Sequence, residues 1–280
     1  MKPTYIGIGA QKCASTWLHR ILAEHPEVSV PEKKEINYFS FHYDHGYQWY
    51  EAQFKPCDAQ TVLGEISPSY FYEPAAPERV YRYLPKIKIL LALRDPIQRA
   101  LSNHRHEIRV GHITGSDLSL EAGLLNNPMY VEQGHYATHL KRWLKFFPLN
   151  QFHIILMEDI KSDPLAVAKN IYSFLGINEA YHPLGLNKSF NPSYVNRSRE
   201  LTGIKDAIYN STRVRGLSWA WNLAEYFGLK ALYRSINTTS SDATIPEPKQ
   251  QTLDMLRQLF EPEVLELEAI IQRPLDVWLK

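Results

Sequence analysis

The chain has 280 residues, 44% hydrophobic and 22% charged, and its 31 basic and 30 acidic side chains leave a formal charge of +1. That apolar content supplies a sizeable core and excludes a disordered or collagen-like chain, while near-neutrality argues against a duplex-DNA binder, which needs a concentrated basic face. At roughly 150 residues per domain the length allows one or two; with no linker evident, a single domain over 1–280 is expected.

Tyr5-Ile6-Gly7-Ile8-Gly9 reads as a first strand, the polar run from Ala10 to Ser15 as a loop, and the segment from about Thr16 as a helix. Leu18, Ile21 and Leu22 give that helix one apolar face, and Pro26 ends it. Val62-Leu63-Gly64-Glu65-Ile66 and Ile87 through Leu93 are the next strands, each followed by a helix-like segment. Phe152 through Met157 is a fourth strand, and Asp163-Pro164 opens a helix that runs to about Leu175, with Gly176 as its stop. Near-continuous apolar strands alternating with helices predict an α/β fold with a parallel sheet flanked by helices. From about 180 to 250 the texture turns rich in Asn, Ser and Pro, with an aromatic helix candidate from Leu217 to Tyr233, and reads as a variable, substrate-side region. Gln250 to Lys280 reads as one helix carrying Leu253, Leu256, Leu259 and Phe260, then a short second one over Val264 to Ile271.

Two cysteines, Cys13 and Cys57, exclude a disulfide framework or a cysteine-rich metal site and point to a reducing compartment. No run approaches the roughly 18 to 20 apolar residues that span a bilayer, and Met1-Lys2-Pro3-Thr4 is too short for a signal peptide. The expected location is therefore cytoplasmic, without membrane or nucleic-acid partners. Sequons at Asn187, Asn196, Asn210 and Asn237 carry little weight without a secretory signal.

Two loops carry chemistry. A loop between a parallel strand and a helix exposes free backbone N–H groups beside the positive end of the helix dipole, which suits an oxyanion; Lys12, Ser15 and Thr16 add donors there. The pattern departs from the Walker loop, since no Gly precedes Lys12 and no Ser or Thr follows it, which disfavours a magnesium-bound triphosphate. The alternative is a plain strand-to-helix turn with a solvated lysine. In the second loop Arg94 ends a strand and Ser102 follows about two helical turns later, a place where a guanidinium can clamp a phosphate. The alternative there is an Arg94–Asp95 ion pair.

Together these loops resemble the sulfotransferases that use 3′-phosphoadenosine 5′-phosphosulfate (PAPS). Gly9-Ala10-Gln11-Lys12-Cys13-Ala14-Ser15-Thr16-Trp17-Leu18 is similar to the 5′-phosphosulfate loop, and Arg94-Asp95-Pro96-Ile97-Gln98-Arg99-Ala100-Leu101-Ser102 to the 3′-phosphate motif. Lys34-Glu35-Ile36-Asn37-Tyr38-Phe39, Glu65 through Phe71 and Gly134 through Trp143 resemble the heparan sulfate sulfotransferase branch. The likeness covers roughly residues 5 to 177 and implies a P-loop-like sheet, PAPS as donor, the 3′,5′-bisphosphate (PAP) as product and no metal. It further implies cofactor contacts from Gln11, Lys12, Cys13, Ala14, Ser15, Thr16, Trp17, Arg94 and Ser102. No Lys-Gly-Arg type loop occurs near the C-terminal end; Arg197 in Arg197-Ser198-Arg199 is the candidate to serve the 3′-phosphate or adenosine instead.

In-line sulfuryl transfer relies on positioning and charge stabilisation, as phosphoryl transfer does. The resemblance places Lys12 at the leaving oxygen and Glu35 as the base that takes the proton of a hydroxyl acceptor, a carbohydrate or a small metabolite. Charge pattern alone reads Glu32-Lys33-Lys34-Glu35 as a solvated surface run. Glu65 is the reserve base, or a structural support of the cofactor loop. His104 and His106 sit on the helix after Arg94; His135 and His139 have an i, i+4 spacing but lack the Glu of a zinc helix and read as packing and substrate-side residues. The rival function is a P-loop kinase or nucleotide hydrolase using ATP and magnesium, with Ile154 through Asp159 as its acidic strand end. Nothing in the residues specifies an oligomeric state.

Overall fold

The computed structural model describes residues 2–54, 62–113, 117–186 and 245–280, together with the backbone of 194–196 and 238–240. Cys57, Arg197 and the aromatic segment 217–233 lie outside the described residues. Strands β1 (Tyr5–Gly9), β2 (Val28–Ser29), β3 (Val62–Ile66), β4 (Lys88–Leu93) and β5 (Phe152–Leu156) form one sheet in the order β2-β3-β1-β4-β5, every pairing parallel. All of β1 and β3, and all of β4 but Lys88, are buried, as strands covered on both faces must be. The strand β2 was not expected: two residues between Pro26 and Pro31 are too few to show a period, and only pairing with Val62 and Leu63 makes them a strand.

The described helices are α1 (Ser15–Ala23), α2 (Tyr38–Phe41), α3 (Gly46–Glu51), α4 (Ala76–Tyr83), α5 (Pro96–Val110), α6 (Leu120–Asn126), α7 (Met129–Glu132), α8 (Tyr136–Leu144), α9 (Met157–Ser162), α10 (Pro164–Leu175) and α11 (Gln250–Ile271). None of them is long and apolar enough to cross a membrane. The Asp-Pro start and Gly stop hold for α10: Asp163 accepts from the Ala166 N–H at 2.9 Å, and Gly176 ends the helix at φ 81. The expected break near the C-terminus is absent. The helix α11 runs unbroken through Pro262, because Thr252, Leu256, Phe260, Val264 and Leu267 form one continuous buried stripe whose packing outweighs the local cost of the proline. This helix is tied to α8: Glu263 accepts from the Thr138 N–H at 3.0 Å, satisfying an otherwise orphaned amide in the first turn of α8, and Lys141 meets Glu266 at 2.7 Å.

The chain divides into two compact units. One comprises residues 1–100, 128–190 and 250–280 and contains the sheet; the other comprises 101–127 and 191–249 and contains α6 and the antiparallel pair β6 (Tyr194–Asn196) and β7 (Thr238–Ser240). The boundary falls inside α5, after Ala100.

Candidate active site

In a parallel sheet every strand delivers its following loop to one edge, the place where α/β folds bind ligands. Here β1 leads into the Lys12 loop, β3 into Ser67, β4 into Arg94 and β5 into Glu158. The neighbours β1 and β4 stay joined past their ends, with the Ala10 N–H donating to the Ala92 carbonyl at 2.6 Å. The Lys12 and Arg94 loops therefore leave adjacent strands on the same edge. A cavity of about 620 Å³ bounded by Thr4, Tyr83, Lys86 and Gly176 opens at the opposite end of the strands.

The loop after β1 is shaped for close approach. A Cβ on Gly9 would lie 2.6 Å from Cβ of Phe71, so only glycine fits against the segment that follows β3. Lys12 and Ala14 both adopt left-handed backbone, φ 67 and φ 65, at about 1–2 kcal/mol each for a residue with a Cβ. Left-handed residues alternating along a turn point successive N–H groups into one concavity, an anion nest, here at the N-terminus of α1. Lysine and alanine hold these two left-handed positions, which glycine would take at less cost. Gln11, Lys12, Ser15 and Thr16 are partly exposed. Cys13 and Trp17 turn inward: the Cys13 thiol lies 3.6 Å from the Tyr136 hydroxyl, and Trp17 Nε1 donates to the Leu186 carbonyl at 3.0 Å. Only the backbone of these two can meet a ligand in the nest. Burial pushes the Cys13 thiol up to about 11, so it stays protonated at neutral pH.

Glu35 reaches this loop through its neighbour. Lys34 Nζ lies 3.4 Å from Glu35 Oε1 and 3.5 Å from Ser15 Oγ, so one ammonium touches both the candidate base and the first residue of α1. Within the run Glu32-Lys33-Lys34-Glu35 the first two are exposed and the last two half-buried, which separates the site pair from the solvated pair. Lys34 is a candidate site residue that charge patterning alone does not single out. His19, one turn along α1 from Ser15, is held neutral: burial first, then the Lys34 charge, lowers its pKa to about 4.

Glu65 is 2% exposed and accepts from Ser67 Oγ at 2.6 Å, Tyr70 OH at 2.6 Å and Tyr50 OH at 3.4 Å. Burial pushes its carboxyl up to about 7, those hydroxyls pull it back in part, and the Glu35 charge raises it further. Three hydroxyl donors and near-complete burial enclose this carboxylate, whereas Glu35 is half-buried.

At the end of β4, Arg94 is half-buried and its Nε is a buried donor without a protein partner. Asp95 does not serve mainly as its counter-ion: Oδ1 caps α5, accepting from the Ile97 N–H at 2.8 Å. Arg99 is fully buried and donates to the Tyr130 carbonyl and, at 3.1 Å, to Gln133 Oε1; it braces α5 against the turn at α7. Asp159 is held bidentately by Arg273, 2.8 Å on each arm, so the acidic end of β5 spends this carboxylate on an ion pair.

Ser102 lies in the second unit, half-buried on α5. His104 in that unit is buried with Nε2 2.9 Å from the Leu118 carbonyl, and His106 Nδ1 lies 2.6 Å from Arg109. His139 is buried, with Nε2 2.8 Å from the Glu132 carbonyl and Nδ1 against Arg142, while His135 faces Glu263 at 3.6 Å. Both therefore pack α8. Arg197 lies outside the described residues.

A parallel α/β sheet whose leading loop forms an anion nest, with a lysine and a half-buried arginine on neighbouring strand ends, defines a P-loop-like α/β protein. Residues 3–229 match the family described as "Sulfotransferase domain", and the chain belongs to that family. Its relatives include the membrane-associated sulfotransferase kil1 of Dictyostelium discoideum, 28% identical over 63% of this chain and 56% of the relative. The mouse heparan sulfate glucosamine 3-O-sulfotransferase 5 is 31% identical over 62% of this chain and 54% of the relative. The human bifunctional heparan sulfate N-deacetylase/N-sulfotransferase 2 is 33% identical over 62% and 22%. The chain thus spans little more than half, or less, of these relatives' lengths. A sulfotransferase from Alicyclobacillus acidocaldarius has the same fold, with a TM-score of 0.70 at 24% identity over 100% of both chains.

Proposed function

We propose that this chain moves a sulfuryl group from PAPS to a hydroxyl of a carbohydrate acceptor, with a small hydroxylated metabolite as the second acceptor class. The observation that carries this reading is the single ammonium of Lys34 joining Glu35 to Ser15, which sets a base beside the anion nest. Carbohydrate is favoured because relatives are named for heparan sulfate. The donor fits the residues present: the left-handed turn at Lys12 and Ala14 and the buried, unpartnered Nε of Arg94 offer cationic and N–H donors at two neighbouring strand ends. PAPS supplies the transferable sulfuryl group and departs as PAP.

This chain's residues do the rest. The amides of the nest and the hydroxyls of Ser15 and Thr16 hold nonbridging oxygens, Lys12 stabilises charge gathering on the leaving oxygen, and Arg94 grips the 3′-phosphate. Glu35 takes the acceptor's proton as the new bond forms, with the Lys34 ammonium 3.4 Å from its Oε1.

Incubation with labelled PAPS and a panel of desulfated heparin oligosaccharides and small hydroxylated metabolites, followed by mass spectrometry, tests the reading. Lys12→Ala should abolish product, and Glu35→Gln should lower turnover by roughly 10²- to 10⁴-fold while PAP affinity stays near wild type. Undiminished sulfation by Lys12→Ala would sink the mechanism. Calorimetry separates the kinase reading: PAP should bind without magnesium, and ATP with magnesium should not compete.

A further inference from the structure

The turn after Glu35 has little regular structure to hold it. Asn37 sits at φ 55, ψ 31, and the helix that follows has four residues. Two of its peptide N–H groups bond side-chain hydroxyls: Asn37 N donates to Ser67 Oγ at 2.9 Å and Tyr38 N to Tyr70 OH at 2.8 Å. Each hydroxyl in turn donates a hydrogen bond to the same carboxylate, Ser67 to Glu65 Oε2 and Tyr70 to Glu65 Oε1, both at 2.6 Å.

We propose that Glu65 is a positioning residue for Glu35, acting through these two parallel relays from the peptide N–H groups of residues 37 and 38. The inference rests on the reading of Glu35 as the base.

The hydrogen count fits an ionised carboxylate, the state Glu65 takes as pH rises through about 7. A hydroxyl has one proton and two lone pairs, so one that accepts from a peptide N–H still has its own proton to donate onward. Two such hydroxyls side by side need a group that accepts on both atoms, and an ionised carboxylate is that group. Glutamine is not: its NH₂ would face a hydroxyl proton, and that hydroxyl would have to turn its proton away and lose its onward bond. The 2.6 Å distances are those of charge-assisted O–H···O⁻ bonds, the stronger kind. Further contacts brace the same turn. Ser69 Oγ donates to Asn37 Oδ1 at 2.7 Å, and the Tyr38 ring stacks on Tyr50, centroids 4.6 Å apart, whose hydroxyl also points at Glu65.

Native-state hydrogen exchange at about pH 8, where Glu65 is ionised, on Glu65→Gln, Ser67→Ala and Tyr70→Phe tests the relays. Glu65→Gln should speed exchange at both amides by about tenfold, Ser67→Ala at Asn37 alone and Tyr70→Phe at Tyr38 alone. Unchanged protection at both amides in folded Glu65→Gln overturns the proposal. Should that variant not fold, the single-arm variants decide: deprotection spread over β3 and its flanks, and not confined to one amide, overturns it. On the acceptor returned by the sulfation screen, Glu65→Gln should lower kcat by about tenfold to a hundredfold with the KM for PAPS unchanged. In a Glu35→Gln background the same substitution should lower kcat no further, whereas multiplying losses overturn the positioning role. If Glu35→Gln keeps full turnover, the base assignment fails and the positioning role with it, yet the exchange pattern still reports whether the relays exist, so the two failures are told apart.

Discussion

Raising the pH from about 4.5 to about 8 should destabilise this protein through Glu65, and Glu65→Gln should remove that part of the loss. Burial holds the folded carboxyl at about 7 against an ordinary 4.5. Between those values the folded chain keeps a proton that the unfolded chain has released, so stability present below pH 4.5 is lost as pH rises through 7 and is level above it. At about 1.36 kcal/mol per pH unit the loss comes to roughly 3 kcal/mol, a large share of a typical domain's stability. The neighbouring hydroxyls of Tyr5, Tyr50 and Tyr70 are all pushed upward by burial and stay neutral throughout, which leaves Glu35 as the charged neighbour that adds to the rise. Urea midpoints of wild type and Glu65→Gln, measured at about pH 4.5, 6 and 8, give the difference in stability at each pH and cancel titrations common to both. The difference should move against wild type by roughly 3 kcal/mol across that range. A difference independent of pH would refute the reasoning, because it would mean that Glu65 titrates alike in the folded and unfolded chains.

Arg94→Ala should weaken PAP binding by about tenfold to a hundredfold in calorimetry, the worth of charge-assisted bonds to one phosphate, with the melting temperature little changed. Gly9→Ala forces a Cβ to within 2.6 Å of Phe71 and should cost about 1–3 kcal/mol in denaturant unfolding while abolishing PAP binding, since the loop and the segment after β3 cannot both stay in place. His139, lowered from 6.5 to about 4 by burial, is neutral when folded; stability present above pH 6.5 is lost as pH falls through 4. In His139→Gln the acid-side slope of stability between those values should be shallower by about 1.4 kcal/mol per pH unit, and an unchanged slope would remove His139 as its source.

Much of this site was legible in the chain itself. Apolar runs at Tyr5–Gly9 and Lys88–Leu93, each followed by polar turn and helix signals, specify parallel strands, and a parallel sheet sends its loops to one edge whatever the details. The Lys12 and Arg94 loops therefore had to share that edge. The order of strands and the contacts between loops could not be read this way. Lys34 and Ser15 meet across 19 residues, and Asn37 and Ser67 across 30, so their pairing follows from sheet register and packing. The same holds for the side chains of Cys13 and Trp17, which turn into the core while their backbone stays in the loop, and for Pro262, a helix breaker by local rule that a continuous buried stripe carries through. Local periodicity and backbone preference act within a few residues and are written in the sequence; which distant side chains complete a hydrogen-bond chain, and which carboxylate loses its water, is decided only when the sheet brings its strand ends together.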